Sequence, residues 1–303
     1  MPKTTITGRG RKAGFTLIEL LVVMAVVSAV MAILLPALSK ARRQARLVLN
    51  KANEGQIANA VNCFAFDNDE SYPDSVATIG TLDRFWHWQE PMVLTGTTAR
   101  SPQEFRSTSA YLQSYIQDSR TMFCPNAPRK YKYLQQSWEA GEDWDNPETP
   151  METDEVYGTY CFYWNYTGCL EEGEKVFRGP RDPSAGGRSK LLVSDYFGYG
   201  YWRLRERYGT YKAYGSCERF KDASVTPGTE ASSDLWSCRE EELQFDTGSA
   251  EVMLYAAYVD GHVESYPASE AAPMRVSRSP DGRKPFPLGV GGGDIYLPQN
   301  ALR

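Results

Sequence analysis

Glu19 is the side chain with the clearest chemical consequence, because it stands at the start of a long apolar stretch. No charged residue occurs between Leu20 and Leu38. A carboxylate in such surroundings is costly unless it meets a partner, so its presence indicates a function. Glu19 therefore predicts a functional role in which the carboxylate meets a partner. The alternative is a side chain that lies at the depth of lipid headgroups and pairs with nothing.

The stretch that positions Glu19 is long enough to cross a membrane. Its 19 residues, Leu20 to Leu38, span about 28 Å as a helix, close to one hydrocarbon core. A secretory signal peptide also combines a basic segment with an apolar run. This run is long for a signal peptide, and it continues into helix-forming sequence rather than into a small-residue cleavage site. The basic residues that precede it are Lys3, Arg9, Arg11 and Lys12.

Residues 14–20 read Gly-Phe-Thr-Leu-Ile-Glu-Leu and resemble the cleavage and methylation signature of type IV pilin-like proteins, including the pseudopilins of type II secretion. The resemblance implies that a prepilin peptidase cuts between Gly14 and Phe15 and methylates the new amine of Phe15. Glu19 would become the fifth residue of the mature chain and pair with the N-terminal ammonium of a neighbouring subunit in a filament. Pro36 matches a helix-kinking proline that many such proteins carry.

The same resemblance implies a location and a set of partners. Basic residues lie on both sides of the span, so charge counting alone does not choose an orientation. The leader motif implies a single-pass inner-membrane protein with a cytoplasmic N-terminus and a periplasmic or extracellular body. Its expected partners are the prepilin peptidase, other pilin or pseudopilin subunits and an inner-membrane assembly platform.

The charge is divided unevenly along the 303 residues. The net charge is −5, yet the first 51 residues contain nine basic groups and one acid, so they carry +8 and the remainder carries −13. An acidic body argues against nucleic acid as a partner, because phosphate contacts need a basic surface.

Residue patterns divide the chain into a leader (1–14), a transmembrane and stalk helix (15–64) and an exported globular domain (65–303). An apolar stripe continues the helix beyond the span through residues 38, 41, 45, 48 and 52, and after Gly55 through residues 57, 60, 61 and 64. Turn-forming residues 67–74 end it. A short helix is predicted in 102–117, and strands in 190–196 and 252–259. We expect an α+β fold in which the helix packs on an antiparallel sheet with long loop insertions.

Asp260-Gly261 predicts a two-residue type I′ turn into a strand over 262–266, because that turn needs positive φ at both positions. Residues 258–263 also resemble the C-terminal signature of a pilin-like group defined by a His, nine residues and Asp-Gly. Ala250 occupies the position of that His, so no role of the His carries over. Two further segments, 123–125 and 191–195, are similar to features of the same group. A structural role for Asp260 and His262 is the simpler interpretation.

The six cysteines all follow the apolar span, and an even number in an exported domain suggests disulfides. Cys161 and Cys169 flank a predicted hairpin and are the first candidate pair. Cys217 and Cys238, which bracket a polar loop, are the second. The remaining two, Cys63 and Cys124, would tie the end of the long helix to the body.

Weaker patterns suggest ligands. The acidic run 139–155 includes Asp143, Asp145 and Glu148 as calcium candidates, although it is not an EF-hand loop and an acidic run is usually solvated. Aromatic residues cluster at 85–88 and 199–202, where they could stack on sugars but more often serve as core or interface residues. No other cofactor is indicated.

Two classes of function are compatible with these features. The first is a structural subunit that assembles through its N-terminal helix into a type II secretion pseudopilus or related fibre. The second is a membrane-anchored carbohydrate-binding or glycoside-processing ectodomain that uses the same leader. The sequence contains no nucleophile elbow and no metal motif, so we expect a protein that is not an enzyme. A filament subunit needs Phe15 and Glu19, whereas an anchored ectodomain needs only hydrophobicity.

Overall fold

The first helix, α1 (Leu17–Asp67, 51 residues), contains both the apolar stretch and its continuation, and it passes through Pro36. The structure is a computed structural model that describes residues 15–76, 93–95, 107–125, 133–145, 147, 156–170, 175–196, 198–199, 253–275 and 294–302. Contacts divide the chain into two units, residues 1–46 and 47–303.

In the first unit, the described residues form the apolar part of α1. Its large side chains are exposed along the whole stretch from Leu17 to Leu38. By length and composition α1 is able to cross a membrane. This agrees with the predicted membrane-spanning helix, since exposed Leu, Val and Ile side chains at this density suit lipid rather than water.

In the second unit, the remainder of α1 is packed against the body. Its buried residues are Asn50, Asn53, Glu54, Ile57, Ala58, Ala60, Val61 and Ala65. The predicted apolar stripe is thus confirmed from Ile57 onward. It is wrong at Val48 and Ala52, which are exposed, because the buried face of this segment begins with polar side chains. The helix ends in a turn that has positive φ at Asp69 and Glu70.

The body is built from short elements. Among the described residues its helices are α2 (Thr108–Leu112) and α3 (Leu134–Ala140), with short 3₁₀ turns at Ser119–Met122, Gly141–Asp143, Ala268–Glu270 and Gln299–Leu302. Its strands are β1 (Val93–Thr95), β2 (Val156–Tyr157), β3 (Tyr160–Phe162), β4 (Thr167–Leu170), β5 (Lys175–Arg178), β6 (Leu191–Asp195), β7 (Gly198–Tyr199), β8 (Met253–Tyr258), β9 (Val263–Pro267), β10 (Ala271–Arg275) and β11 (Asp294–Pro298). The predicted short helix in 102–117 corresponds to α2.

The strands form three antiparallel sheets among the described residues. The order is β1-β2 in the first, β5-β4-β10-β11-β7 in the second and β3-β6-β8-β9 in the third. The predicted strands over 190–196, 252–259 and 262–266 appear as β6, β8 and β9, which are neighbours in the third sheet. A long helix followed by antiparallel sheets is the α+β fold expected from the sequence.

The turn between β8 and β9 differs from the predicted one. Positive φ occurs at Gly261 (81°) but not at Asp260. The Gly261 N–H donates to the Tyr258 carbonyl at 2.9 Å, and the Tyr258 N–H donates to the His262 carbonyl at 3.1 Å. The loop therefore has three residues rather than two, with glycine in the left-handed region that such loops require.

Candidate assembly and helix-docking sites

The N-terminal motif forms a capped helix start. The Thr16 N–H and the Thr16 hydroxyl both donate to Glu19 Oε2, each at 2.8 Å, and the Glu19 N–H donates to Thr16 Oγ1 at 3.2 Å. This reciprocal arrangement is a capping box, which satisfies donors that the first helical turn leaves unpaired. Among the described residues, no group reaches Oε1 of Glu19. The side chain is thus held in place while one of its oxygens stays available.

Phe15 lies directly before this cap, with a side chain that is 79% exposed. Gly14, on the other side of the predicted cleavage point, lies outside the described residues. Phe15 and Glu19 are therefore accessible at the start of an apolar segment that has no other charge before Lys40. Such an arrangement suits contacts with other apolar helices that bring a cation to Glu19.

A second site lies where the distal part of α1, residues 47–67, meets the third sheet. Asn50 Nδ2 donates to both carboxylate oxygens of Asp195, at 2.9 and 3.0 Å, and the Tyr160 hydroxyl donates to Asn50 Oδ1 at 2.7 Å. All three residues are fully buried. The Tyr255 N–H also donates to Asp195, at 3.0 Å. One buried amide thus joins α1 to β3 and β6.

Asn53 extends this contact by one helical turn. Its Nδ2 donates to the Phe123 carbonyl at 3.1 Å and lies 3.4 Å from the Tyr160 hydroxyl. Hydrogen bonds between buried polar groups contribute specificity, because each lost partner leaves a desolvated group. The Asn50 and Asn53 side chains therefore fix the rotation of α1 on the sheet.

The β8–β9 hairpin contacts the same helix further along. Asn62 Nδ2 donates to the Val259 carbonyl at 3.0 Å, and the Tyr72 hydroxyl donates to Asn62 Oδ1 at 2.7 Å. A Cβ atom at Gly261 would lie 3.4 Å from Asn59 Oδ1. The loop that contains Asp260-Gly261 is therefore placed beside the helix, which gives that dipeptide a structural role.

Several segments that the sequence singled out converge on this part of α1. Phe123 follows the first 3₁₀ turn, Asp195 ends β6 and Val259 follows β8, and each contacts an asparagine of the helix. The three asparagines were not predicted as site residues. Positions 50 and 53 follow the helical period of Ile57 and Val61, which was the one available signal, whereas position 62 lies off that face.

The cysteine predictions have mixed outcomes. Cys161 lies in β3, which pairs with β6. Cys169 lies in β4, which pairs with β5 and β10. The hairpin predicted between them is therefore absent. Cys63 has an exposed, free thiol, so its predicted link to Cys124 is not formed in this structure. Cys217 and Cys238 lie outside the described residues, and their pairing stays a prediction.

The structure describes two of the three calcium candidates. Asp143 and Asp145 are exposed, and Glu148 lies outside the described residues. No group of three or more His, Cys, Asp or Glu side chains is placed to hold a metal within those residues. The aromatic cluster at 85–88 also lies outside them, as do Tyr201 and Trp202.

Comparison with known proteins supports the N-terminal site. The family model for the prokaryotic N-terminal methylation motif matches residues 9–35. This match confirms the prediction of a prepilin-type motif and contains the Phe15, Thr16 and Glu19 cluster. It does not extend to the Asp260-Gly261 hairpin. No curated protein and no solved structure matches the chain.

Proposed function

We propose that this protein is a pilin-like subunit that is matured by a prepilin peptidase and assembles through its N-terminal helix. In this proposal the peptidase hydrolyses the bond between Gly14 and Phe15 and methylates the new amine of Phe15. The mature chain joins a type II secretion pseudopilus or a related fibre. The observation that carries the proposal is Glu19, an exposed and pre-positioned carboxylate within the matched methylation motif.

The proposal rests on the energetics of charge in apolar surroundings. A charged side chain at the centre of a membrane helix costs about 2.5–3.5 kcal/mol on insertion scales, and this is the upper limit for Glu19 at the start of the span. A neighbouring subunit's N-terminal ammonium would neutralise Glu19, and the pair would also set the axial position of one helix against the next. The capping box with Thr16 keeps the carboxylate in place until that partner arrives.

The same proposal gives the protein its place in the cell. The apolar part of α1 spans the inner membrane once, the leader lies in the cytoplasm, and the acidic body lies in the periplasm or outside the cell. Other pilin or pseudopilin subunits and an inner-membrane assembly platform are its partners. The body then acts as an interaction domain rather than as a catalyst.

The test compares three chains in a cell that has a prepilin peptidase and an assembly machine. Glu19→Ala is the test variant, and Ser28→Ala, in the same apolar segment, is the matched control. We expect all three chains to be inserted in the membrane, and we expect only Glu19→Ala to be lost from sheared or cross-linked fibres. Normal incorporation of Glu19→Ala would refute the role of Glu19 and favour an anchored ectodomain instead.

A further inference from the structure

The carboxyl group of Glu54 lies on the buried face of α1. The residue has no exposed surface, and among the described residues neither of its oxygens has a hydrogen-bond partner. Burial of an ionised carboxylate without compensation costs far more than burial of a neutral polar group. An unsatisfied buried group of this kind indicates that its protonation state matters to the structure.

A second carboxyl group, that of Asp195, lies close enough for its charge to act on Glu54. Two carboxyl groups that share a buried site do not both ionise readily. Asp195 accepts hydrogen bonds from Asn50 Nδ2 and from the Tyr255 N–H, and such donors stabilise its ionised form. Asp195 is thus the member of the pair that carries the charge, and Glu54 is the member that remains neutral.

Within the part of the chain that the structure describes, the other titratable groups that act around this pair are also acids. They come from β3, β8, β9 and the loop after the first 3₁₀ turn, and they are Tyr160, Tyr255, Tyr258, Tyr266 and Cys124. None of these groups can supply a positive charge to balance Glu54. Burial, and then the charge of Asp195, raise the pKa of Glu54 well above its usual range.

We propose that the distal part of α1 is held on the sheet by a proton-dependent latch, in which Glu54 is un-ionised while the helix is docked and loses its proton when the helix is released. The latch concerns residues 47–303 only and is independent of the proposed assembly function. It provides a way for the pH outside the membrane to control how firmly the stalk helix is attached to its own body.

The direction of the pH effect follows from proton linkage. A glutamate in an unfolded chain has a pKa of about 4.3, and docking raises that value. At pH values between these two pKa values of Glu54, the docked state therefore binds more protons than the released state. Below about pH 4.3, Glu54 contributes its full stabilisation to the docked state. Above that pH, the stabilisation is lost and the equilibrium constant for unfolding rises by up to tenfold per pH unit. The rise stops above the pKa of the docked state.

The test uses the full chain in detergent micelles and measures urea unfolding by tryptophan fluorescence between pH 5 and pH 9. Glu54→Gln keeps the shape of the side chain but cannot ionise. Glu70→Gln removes the same charge from an exposed position and is the matched control. We expect the wild-type unfolding constant, divided by that of Glu54→Gln, to rise at least tenfold over this range. We expect the wild-type unfolding constant, divided by that of Glu70→Gln, to stay within about threefold of unity over the same range.

A ratio for Glu54→Gln that does not change with pH would overturn the proposal. If that variant does not fold, a titration of the wild-type chain with carbon-13 in its glutamate carboxyl groups decides the question. In the folded chain, one glutamate must titrate at a pH well above that of the exposed glutamates, and in urea it must titrate together with them. Ordinary titration of every glutamate in the folded chain would also overturn the latch.

Discussion

Replacing Asn50 by alanine should be one of the most destabilising changes in the helix. The side chain supplies one donor to the Asp195 carboxylate and one acceptor to the Tyr160 hydroxyl, and all three residues are buried. A hydrogen bond to a charged group contributes about 1.5–3 kcal/mol, and a buried hydroxyl left without its acceptor costs about 1–3 kcal/mol. The sum predicts a loss of about 2.5–6 kcal/mol in the free energy of unfolding.

Such a loss is a large fraction of the total, since a folded domain is stable by about 5–15 kcal/mol. The assay is urea unfolding of the full chain in micelles, with near-ultraviolet circular dichroism as the probe of the body. Lys51→Ala is the control, because Lys51 is adjacent but exposed and should change the stability by no more than about 0.5 kcal/mol. Equal stabilities for Asn50→Ala and Lys51→Ala would refute the account of helix docking.

Further predictions concern other parts of the chain. Thr16→Val removes the helix cap, at a cost of about 1 kcal/mol, and should reduce incorporation into fibres about fivefold, whereas Thr16→Ser should preserve it. Gly179→Ala should destabilise the body by more than 3 kcal/mol in urea unfolding, because a Cβ atom there would lie 1.6 Å from the Tyr163 carbonyl oxygen. Gly55→Ala, where the added atom has room, should instead be neutral or stabilise α1 by up to about 1 kcal/mol. Cys63 should react with a maleimide in the folded chain, and Cys63→Ser should remove that reactivity.

The N-terminal site was predictable from sequence because its interactions are local. Thr16 and Glu19 are three residues apart, so the helix itself brings them together. The membrane-spanning length of the apolar stretch is likewise a property of consecutive residues. A family model that matches only residues 9–35 can recognise both features.

The docking site was not predictable in the same way, because its partners are distant in sequence. Asn50 meets Asp195 across 145 positions, and Asn53 meets Phe123 across 70. Val48 and Ala52 were placed on the apolar stripe because they are apolar residues at helical spacing, whereas the buried face of this segment begins with polar side chains. The sequence pattern gives the period of the buried face but not which polar residues belong to it.

The β-strand predictions show the same division between local and distant information. Residues of β6, β8 and β9 have continuous apolar or alternating patterns, so the strands themselves were found. The pairing of β3 with β6 rather than β4 depends on residues about 30 positions away. The predicted Cys161–Cys169 hairpin failed for that reason.

The intact mass of the protein, purified from membranes of a cell that has a prepilin peptidase, tests the central claim most directly. We predict a chain that begins with N-methyl-Phe15, and the same chain from a cell without the peptidase should keep Met1 to Gly14. A chain that keeps its leader in both cells, or that is cut near Ser39, would contradict the proposal that this protein is a processed and assembled subunit.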